Sequence, residues 1–204
     1  MKRILVTGAG SYIGTSFVDY LSRFPGQYEA VVLDMIGDGW KTADFSGFDA
    51  VYHVAGIAHI RETEENAGLY YAVNRDLADD HFRIAVLRPP MVYGEGCKGN
   101  YQSLVKFAKI MPFFPDYPNK RSMIHVDALS ETVKTIVDSG AEGLFLPQDP
   151  EYVCTCHMVR DIAAGTGKKL KLLKILNPAV SLAKRFTAMG RKAFGDLYYL
   201  KEQA

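Results

Sequence analysis

A glycine-rich turn near the start of the chain, between an apolar run and an amphipathic segment, most constrains the fold. Residues 2–7 are mostly apolar, which is typical of a buried strand. Residues 16–24 place apolar side chains at helical spacing, and Pro25-Gly26 ends that pattern. The turn between the two segments reads Thr7-Gly8-Ala9-Gly10-Ser11-Tyr12-Ile13-Gly14. The sequence therefore predicts a strand, a tight turn and a helix in direct succession.

The alternation of strand and helix continues along the first half of the chain. Strands are predicted over residues 28–33, 50–55 and 83–87, and a helix over residues 64–80. Such alternation predicts an α/β fold, a doubly wound parallel sheet covered by helices. The second half is predicted to hold helices at 104–111, 128–139, 158–164 and from 178 onward, strands at 123–126 and 143–147, and an aromatic loop at 112–119. We expect one domain over residues 1–150, with insertions at about residues 95–122, and a small helical lobe over residues 151–204.

The turn has the properties of a phosphate-binding loop. Gly8 allows the tight turn, Gly10 allows a ligand to approach the backbone closely, and Gly14 lets the helix pack on the strand. The helix that follows directs free N–H groups and a partial positive charge at the turn, which suits a pyrophosphate. The alternative interpretation is a glycine-rich strand-to-helix turn that binds nothing.

Asp34 ends the second predicted strand, about 20 residues after Gly14, which is the usual spacing for an acid that contacts a ribose. A carboxylate there accepts a hydrogen bond from the adenosine 2′-OH and selects NAD over NADP. Asp34 could instead simply end the strand, or Asp38 could take the role. NAD is the predicted cofactor.

Composition argues against several classes of partner. The 204 residues carry a formal net charge of +1, so no large field attracts nucleic acid. No stretch reaches the roughly 18 consecutive apolar residues that a membrane-spanning helix needs. We therefore expect neither nucleic acid nor a membrane as a partner.

The cysteines predict a reducing compartment, because their odd count of three does not suggest a disulfide framework. We expect a cytoplasmic protein. Cys154-Thr155-Cys156 is followed directly by His157, and this group could hold a metal. No second ligand pair is visible in the sequence, however, so these cysteines are interpreted as ordinary buried thiols and no metal is predicted.

Several further motifs follow the glycine turn in a fixed order. They are Val51-Tyr52-His53-Val54-Ala55-Gly56 with Ala58-His59, Tyr71-x-x-Asn74, Leu87-Arg88-Pro89-x-x-Val92-Tyr93-Gly94 and Arg121-Ser122-Met123-Ile124-His125-Val126-Asp127. Together they resemble the landmarks of the NAD-dependent epimerase/dehydratase family, the extended short-chain dehydrogenases that act on nucleotide sugars. The resemblance covers most of residues 1–150 and implies a shortened Rossmann-like sheet. In place of the family's middle glycine the chain has Ser11, beside Gly10.

The resemblance implies a role for each matching position. The cofactor-binding residues would be Gly8, Gly10, Ser11, Tyr12, Ile13 and Gly14 at the pyrophosphate, Asp34 at the ribose, Ala55 and Gly56 along the dinucleotide, and Pro89 near the nicotinamide. Asn74 would belong to the catalytic machinery, on the helix that supports the catalytic tyrosine. Arg121 and Asn100 would bind the nucleotide sugar, since a planar guanidinium suits a phosphate. Asn74 could also be an ordinary helix residue, and Arg121 a surface ion-pair partner.

The family's catalytic tyrosine and the lysine four residues after it have no counterpart, since no tyrosine in this chain is followed at that spacing by lysine. A parallel crossover alone takes roughly 10–12 residues or more, and Arg83 follows Asn74 too closely to leave room for one. We expect the sheet to lack one strand and one covering helix. Apolar surface would then be exposed, which favours a homodimer.

The sequence thus predicts an epimerase/dehydratase-like oxidoreductase or isomerase, with impaired or absent catalysis. The alternative is a non-catalytic NAD-binding protein, either a sensor or a decayed subunit. A histidine, His59 or His125, acting as the general base has little support, because each is better explained as a loop or strand-end residue.

Overall fold

The computed structural model describes residues 1–8, 10–34, 44–54, 83–97 and 100–200. The chain forms two compact units, the first from Met1–Leu87 and Ser130–Phe145, the second from Arg88–Leu129 and Leu146–Ala204. The chain thus leaves the first unit and returns to it. These limits do not coincide with the expected boundary near residue 150, and a separate C-terminal domain stays a prediction.

The elements of the two units are short, and most lie where the sequence predicts them. In chain order they are β1 (Lys2–Thr7), α1 (Tyr12–Leu21), β2 (Tyr28–Leu33), β3 (Ala50–His53), β4 (Ala85–Leu87), β5 (Met91–Tyr93), α2 (Asn100–Ile110), β6 (Phe113–Pro115), β7 (Met123–His125), α3 (Val126–Ser139), β8 (Gly143–Phe145), α4 (Thr155–Gly165), β9 (Lys171–Leu173), α5 (Asn177–Phe186) and α6 (Ala188–Phe194). The helix predicted over residues 64–80 lies outside the described residues.

The first unit contains a three-stranded parallel sheet in the order β2-β1-β3. The chain moves from β1 to β2 on one side and then places β3 on the other side of β1. The direction of winding therefore reverses at β1. In open parallel sheets, ligands bind beyond the carboxyl ends of the strands at such a reversal. Strands β4 and β8 form a second parallel pair in this unit.

The core of the first unit lies where α1 and α3 pack on the sheet. Ile4 and Phe17 are completely buried, and Val133 of α3 joins them. The Phe17 ring contacts Tyr52 of β3 edge-on, with 4.8 Å between the ring centroids. This packing explains the apolar spacing of α1, and it fixes the start of the helix relative to β1. Val86 of β4 is 46% exposed. The expected loss of a strand and a covering helix, and the homodimer, stay predictions.

An ionic cluster joins the C-terminal half of α3 to the sheet. The Asp138 carboxylate accepts hydrogen bonds from Lys2 Nζ at 3.0 Å, Lys134 Nζ at 2.9 Å and the Tyr28 hydroxyl at 2.6 Å. Partial burial acts to raise the pKa of Asp138, but the three hydrogen bonds outweigh it and lower the pKa to about 2. Asp138 is therefore charged at neutral pH.

The second unit contains two parallel strand pairs, β5 with β7 and β6 with β9. Its core lies between α2, α4 and β6, and is built around the buried residues Phe114, Cys156, Val159 and Leu170. Strand β6 falls within the segment expected to be a loop, so that prediction is wrong for residues 113–115. A three-residue strand is too short to give a periodic signal, and β6 forms only by pairing with the distant β9.

Helix α1 begins at Tyr12, earlier than the apolar spacing predicts, because Ser11 caps it.

Within the ranges that the structure describes, no helix combines the length and the apolar character required to cross a membrane.

Candidate functional site

The glycine turn connects β1 to α1 at the carboxyl end of the sheet. Gly8 and Gly10 have φ angles of 86° and 76°, in the left-handed region that glycine adopts without strain. The backbone N–H of Gly8 donates to the Leu33 carbonyl of β2 at 3.1 Å, and the N–H of Ser11 donates to the Gly8 carbonyl at 3.1 Å. The turn is therefore held to the end of β2 and folded back on itself.

Ser11 caps α1 with its side chain. Its hydroxyl oxygen accepts the N–H of Gly14 at 3.1 Å, which satisfies one of the donors that a helix leaves free in its first turn. Gly14 is packed so closely that a Cβ would lie 2.7 Å from Ser11 Oγ and 3.5 Å from Val6 Cγ1. The helix therefore packs tightly on the strand, as expected. Ser11, which stands where the resembled family has a glycine, caps the helix.

A small cavity of about 100 Å³ lies beside the turn. Its lining is mostly apolar and consists of Val6, Gly8, Gly10, Gly14, Thr15, Val18 and Val32. Complete small-molecule pockets measure roughly 300–1,000 Å³. The cavity could therefore accommodate only part of a dinucleotide. A Cβ at Gly10 would meet no atom within 4 Å, so the backbone is open to a ligand there.

Thr7 and His53 contact each other at the carboxyl ends of β1 and β3, the two neighbouring strands where the winding reverses. Thr7 Oγ1 and His53 Nδ1 are 2.7 Å apart. Burial lowers the pKa of His53, so its ring is neutral at pH 7. Its Nε2 is buried and has no hydrogen-bond partner within the described part of the chain. Sequence reasoning did not select this pair, although His53 stands in one of the recognised motifs.

Asp34 follows the last residue of β2, and its side chain is exposed. Because Gly8 is hydrogen-bonded to the carbonyl of Leu33, the Asp34 backbone begins next to the turn. This placement agrees with the ribose-contacting role expected from the spacing, although that role stays a prediction.

Pro89 follows β4 and is half-buried at the start of the second unit.

Arg121 lies in the second unit and has a structural contact. Its Nη2 donates to the Lys192 carbonyl of α6 at 2.5 Å, and its backbone pairs with Val153 and Leu197. Burial lowers the pKa of Arg121, but the guanidinium stays charged. Its Nε is buried without a partner among the described residues. The expected contact with a sugar-nucleotide phosphate stays a prediction.

Four further residues were predicted to belong to the site. Ala55, Gly56 and Asn74 lie outside the described residues. Asn100 is the first residue of α2, but its side chain is not described.

Two tyrosines of the second unit, Tyr93 and Tyr117, have a charged side chain as hydrogen-bond partner. The Tyr93 hydroxyl donates to Asp149 Oδ2 at 2.8 Å, and burial together with this carboxylate raises the pKa of Tyr93 to about 12. Tyr117 accepts a hydrogen bond from Lys184 Nζ at 3.2 Å, and this bond lowers the pKa of Tyr117. A general base works best with a pKa near the operating pH, so Tyr93 is shifted in the wrong direction for that role.

Comparison with known proteins finds sequence similarity over part of the chain and similar folds over most of it. No family model matches the chain. The chain is 33% identical over 95 residues to UDP-glucose 4-epimerase from Vibrio cholerae. The match covers 44% of this chain and 29% of that protein, so it spans less than a third of the relative's length.

Solved structures share the fold at low sequence identity. A dTDP-4-dehydrorhamnose reductase from Bacillus anthracis, in complex with NADP, matches with a TM-score of 0.66 and 12% identity, covering 99% of this chain and 92% of that chain. UDP-glucose 4-epimerase from Thermus thermophilus, in complex with NAD, matches with a TM-score of 0.54 and 18% identity, covering 84% of this chain and 85% of that chain.

These matches define an α/β protein with a Rossmann-like parallel sheet, as the sequence predicts. The resemblance to the NAD-dependent epimerase/dehydratase family is confirmed by the similarity to UDP-glucose 4-epimerase and by the folds of the structural neighbours.

Proposed function

We propose that the chain binds a nicotinamide dinucleotide, with its pyrophosphate at the turn between β1 and α1. The observation that carries the proposal is the geometry of this turn. Gly10 has an open backbone in the left-handed region, and the capped start of α1 lies where the sheet reverses its winding. The pyrophosphate would contact Gly8, Gly10, Ser11, Tyr12, Ile13 and Gly14. When bound, the nicotinamide would supply hydride transfer.

We propose NAD rather than NADP as the preferred cofactor. Asp34 begins beside the turn and carries an exposed carboxylate at the end of β2. A carboxylate accepts a hydrogen bond from a ribose 2′-OH and repels a 2′-phosphate. Ala55, Gly56 and Pro89 complete the proposed cofactor contacts by resemblance.

The proposed ligand of the second unit is a nucleotide sugar. The motifs around Pro89 and Arg121 support this proposal, as does the similarity to an enzyme named for UDP-glucose. Arg121 offers a permanently charged guanidinium whose Nε has no hydrogen-bond partner among the described residues, and this suits a phosphate oxygen. Asn100 is the second proposed contact.

We propose that the chain catalyses epimerase/dehydratase chemistry weakly or not at all. The Tyr-x-x-x-Lys pair is absent from the sequence, and the Tyr93 hydroxyl is already donated to Asp149. Loss of positioned acid–base catalysis typically costs about 10²–10⁴-fold in rate. Asn74 would then be a remnant of the catalytic machinery. A non-catalytic NAD-binding protein is the alternative that the same observation favours.

A nicotinamide reduction assay tests this function. The purified chain is saturated with NAD, UDP-glucose is added, and the absorbance of reduced nicotinamide is followed alongside the conversion of the sugar. We expect NAD to bind and conversion to fall at least about 100-fold below an intact UDP-glucose 4-epimerase assayed in parallel. Conversion at a comparable rate would overturn the proposed impairment. Calorimetric titration of the NAD-saturated chain with UDP-glucose tests the substrate class separately, and an absence of binding would overturn it.

A further inference from the structure

A group of side chains that can ligate a metal lies in the second unit, at a cavity of about 500 Å³. Asp116, Cys154, Cys156 and His157 all line this cavity. Three of them come from the start of α4, and Asp116 comes from the segment that follows β6. None of them has a role in the proposed binding of dinucleotide or sugar.

Three of these side chains are close enough to share one ion, and the sulfur of Cys154 adjoins one of them. The sulfur atoms of Cys154 and Cys156 are 3.0 Å apart, and Cys156 Sγ lies 3.9 Å from Asp116 Oδ1. The ligand atoms of Asp116, Cys156 and His157 all lie within 4.8 Å of one another. Ligands around a tetrahedral zinc ion, at Zn–S distances of about 2.3 Å and Zn–N or Zn–O distances of about 2.0 Å, are separated by roughly 3.3–3.8 Å. Asp116, Cys156 and His157 are therefore within reach of one ion, and Cys154, whose sulfur lies beside that of Cys156, is the candidate fourth ligand.

The backbone on both sides of the cluster is held in place. Asn119 accepts the N–H of Thr155 at 2.8 Å and donates to the Thr155 hydroxyl at 2.9 Å, which fixes the first turn of α4. The Asp116 carbonyl accepts from Asn177 Nδ2 at 2.9 Å, and the Asp116 N–H donates to the Leu173 carbonyl at 3.3 Å. A site built on restrained elements loses less entropy when it binds an ion.

The cluster is accessible from one side and closed on the other. Cys156 is 1% exposed and packs in the core with Val159, whereas His157 is exposed. An ion could thus enter past His157 and reach sulfur ligands at the closed end.

We propose that Asp116, Cys154, Cys156 and His157 form a binding site for a zinc ion. Two sulfur atoms, one imidazole nitrogen and one carboxylate oxygen give a complete tetrahedral set. Thiolates select zinc over magnesium and calcium, which prefer oxygen ligands. The bound ion would connect the segment after β6 to the start of α4 and would stabilise the second unit.

Zinc titration of the reduced full-length chain tests the site. Binding is measured by competition with a chromophoric chelator, and cobalt is used as a spectroscopic substitute that reports sulfur ligation and tetrahedral geometry. We expect one zinc per chain and a thiolate-to-cobalt charge-transfer band. His157→Ala and Cys154→Ser should each weaken zinc binding by at least about tenfold, because removing even an outer-shell partner of a metal site costs about that much. His157 is exposed, so its replacement leaves the core intact.

Cys97→Ser is the matched control, since Cys97 is a buried cysteine outside the cluster. Its zinc affinity should equal that of the unchanged chain. Circular dichroism checks that each variant is folded. The proposal is overturned if the reduced, folded protein binds no zinc, or if zinc binds equally well after both replacements. A chain that binds no zinc when reduced but forms a Cys154–Cys156 disulfide in air would identify a redox pair instead.

Discussion

The N–H of Gly14 donates to the hydroxyl oxygen of Ser11 at 3.1 Å, and a Cβ on residue 14 would lie 2.7 Å from that same oxygen. The cap of α1 and the missing side chain of Gly14 therefore depend on each other. The oxygen that satisfies the helix occupies the space that any larger residue would need. This pair of residues fixes how closely α1 approaches β1, and with it the shape of the turn.

Replacing Gly14 with alanine should destabilise the protein. Overpacking a close contact costs about 1–3 kcal/mol, and alanine recovers up to about 1 kcal/mol of helix propensity. We expect a net loss of about 1 kcal/mol in the free energy of unfolding, measured by urea denaturation. Gly165→Ala is the control, because a Cβ at that helical glycine meets no atom within 4 Å. Equal stability of the two variants would contradict the close contact.

A double variant isolates the contact itself. Ser11→Ala removes the cap and should cost about 1 kcal/mol alone. It also removes the oxygen that a Cβ at position 14 would meet. Gly14→Ala should therefore cost at least about 0.5 kcal/mol less in the Ser11→Ala background than in the unchanged chain. Strict additivity would show that the two residues do not compete for the same space.

The turn could be predicted from the sequence because all of its determinants are local. An apolar strand, three glycines and a helix follow one another within residues 2–24, and each leaves its own signal. The proposed zinc site of the second unit is only partly visible in the sequence, because Asp116 is 40 positions from Cys156. The sequence showed only the cysteines and the histidine, which is why they were interpreted as ordinary thiols.

Arg121 illustrates the other limit of sequence reasoning. Its motif suggested a phosphate ligand, and nothing nearby in the sequence indicated the contact with Lys192, which is 71 positions away. Strands β6 and β9 were not predicted either, because their pairing partners are also distant in the sequence. Each has three residues and acquires its structure only from its partner.

Asp138→Asn should destabilise the first unit at neutral pH. The lowered pKa of Asp138 means that its charged form stabilises the fold above its unfolded pKa near 3.9 and loses that effect as the pH falls towards about 2. Because the side chain is 34% exposed, solvent screening reduces the contribution, and we expect about 1 kcal/mol. Urea denaturation at pH 7 and at pH 2 measures it. If the difference in the free energy of unfolding between Asp138→Asn and the unchanged chain is as large at pH 2 as at pH 7, the stabilisation is not ionic.

Arg121→Met should lower stability and, under the proposed function, weaken binding of UDP. A hydrogen bond from a charged donor contributes about 1.5–3 kcal/mol, and α6 would lose the one to Lys192. Denaturation and UDP titration are measured on the same variant. Lys120→Met is the control, because Lys120 is an exposed neighbouring cation. A loss of stability without loss of UDP affinity would leave Arg121 a purely structural role.

Asp34→Asn should shift the cofactor preference. Loss of the carboxylate should weaken NAD about tenfold, corresponding to about 1.4 kcal/mol for one hydrogen bond to a charged group. NADP should bind more tightly than before, since the repulsion of its 2′-phosphate is removed. Asp19→Asn is the control, an exposed carboxylate on α1. An unchanged ratio of the two affinities would show that Asp34 only ends β2.

Calorimetric titration of the unchanged chain and of a Gly10→Val variant with NAD tests whether the turn is a dinucleotide site. Gly10 has a φ of 76°, and the backbone is open there, so a β-branched residue would both strain the turn and cover it. We expect saturable binding of one NAD per chain and the loss of that binding in a variant that remains folded. No binding to the unchanged chain, or equal binding to both, would contradict the assignment of the turn as a dinucleotide site.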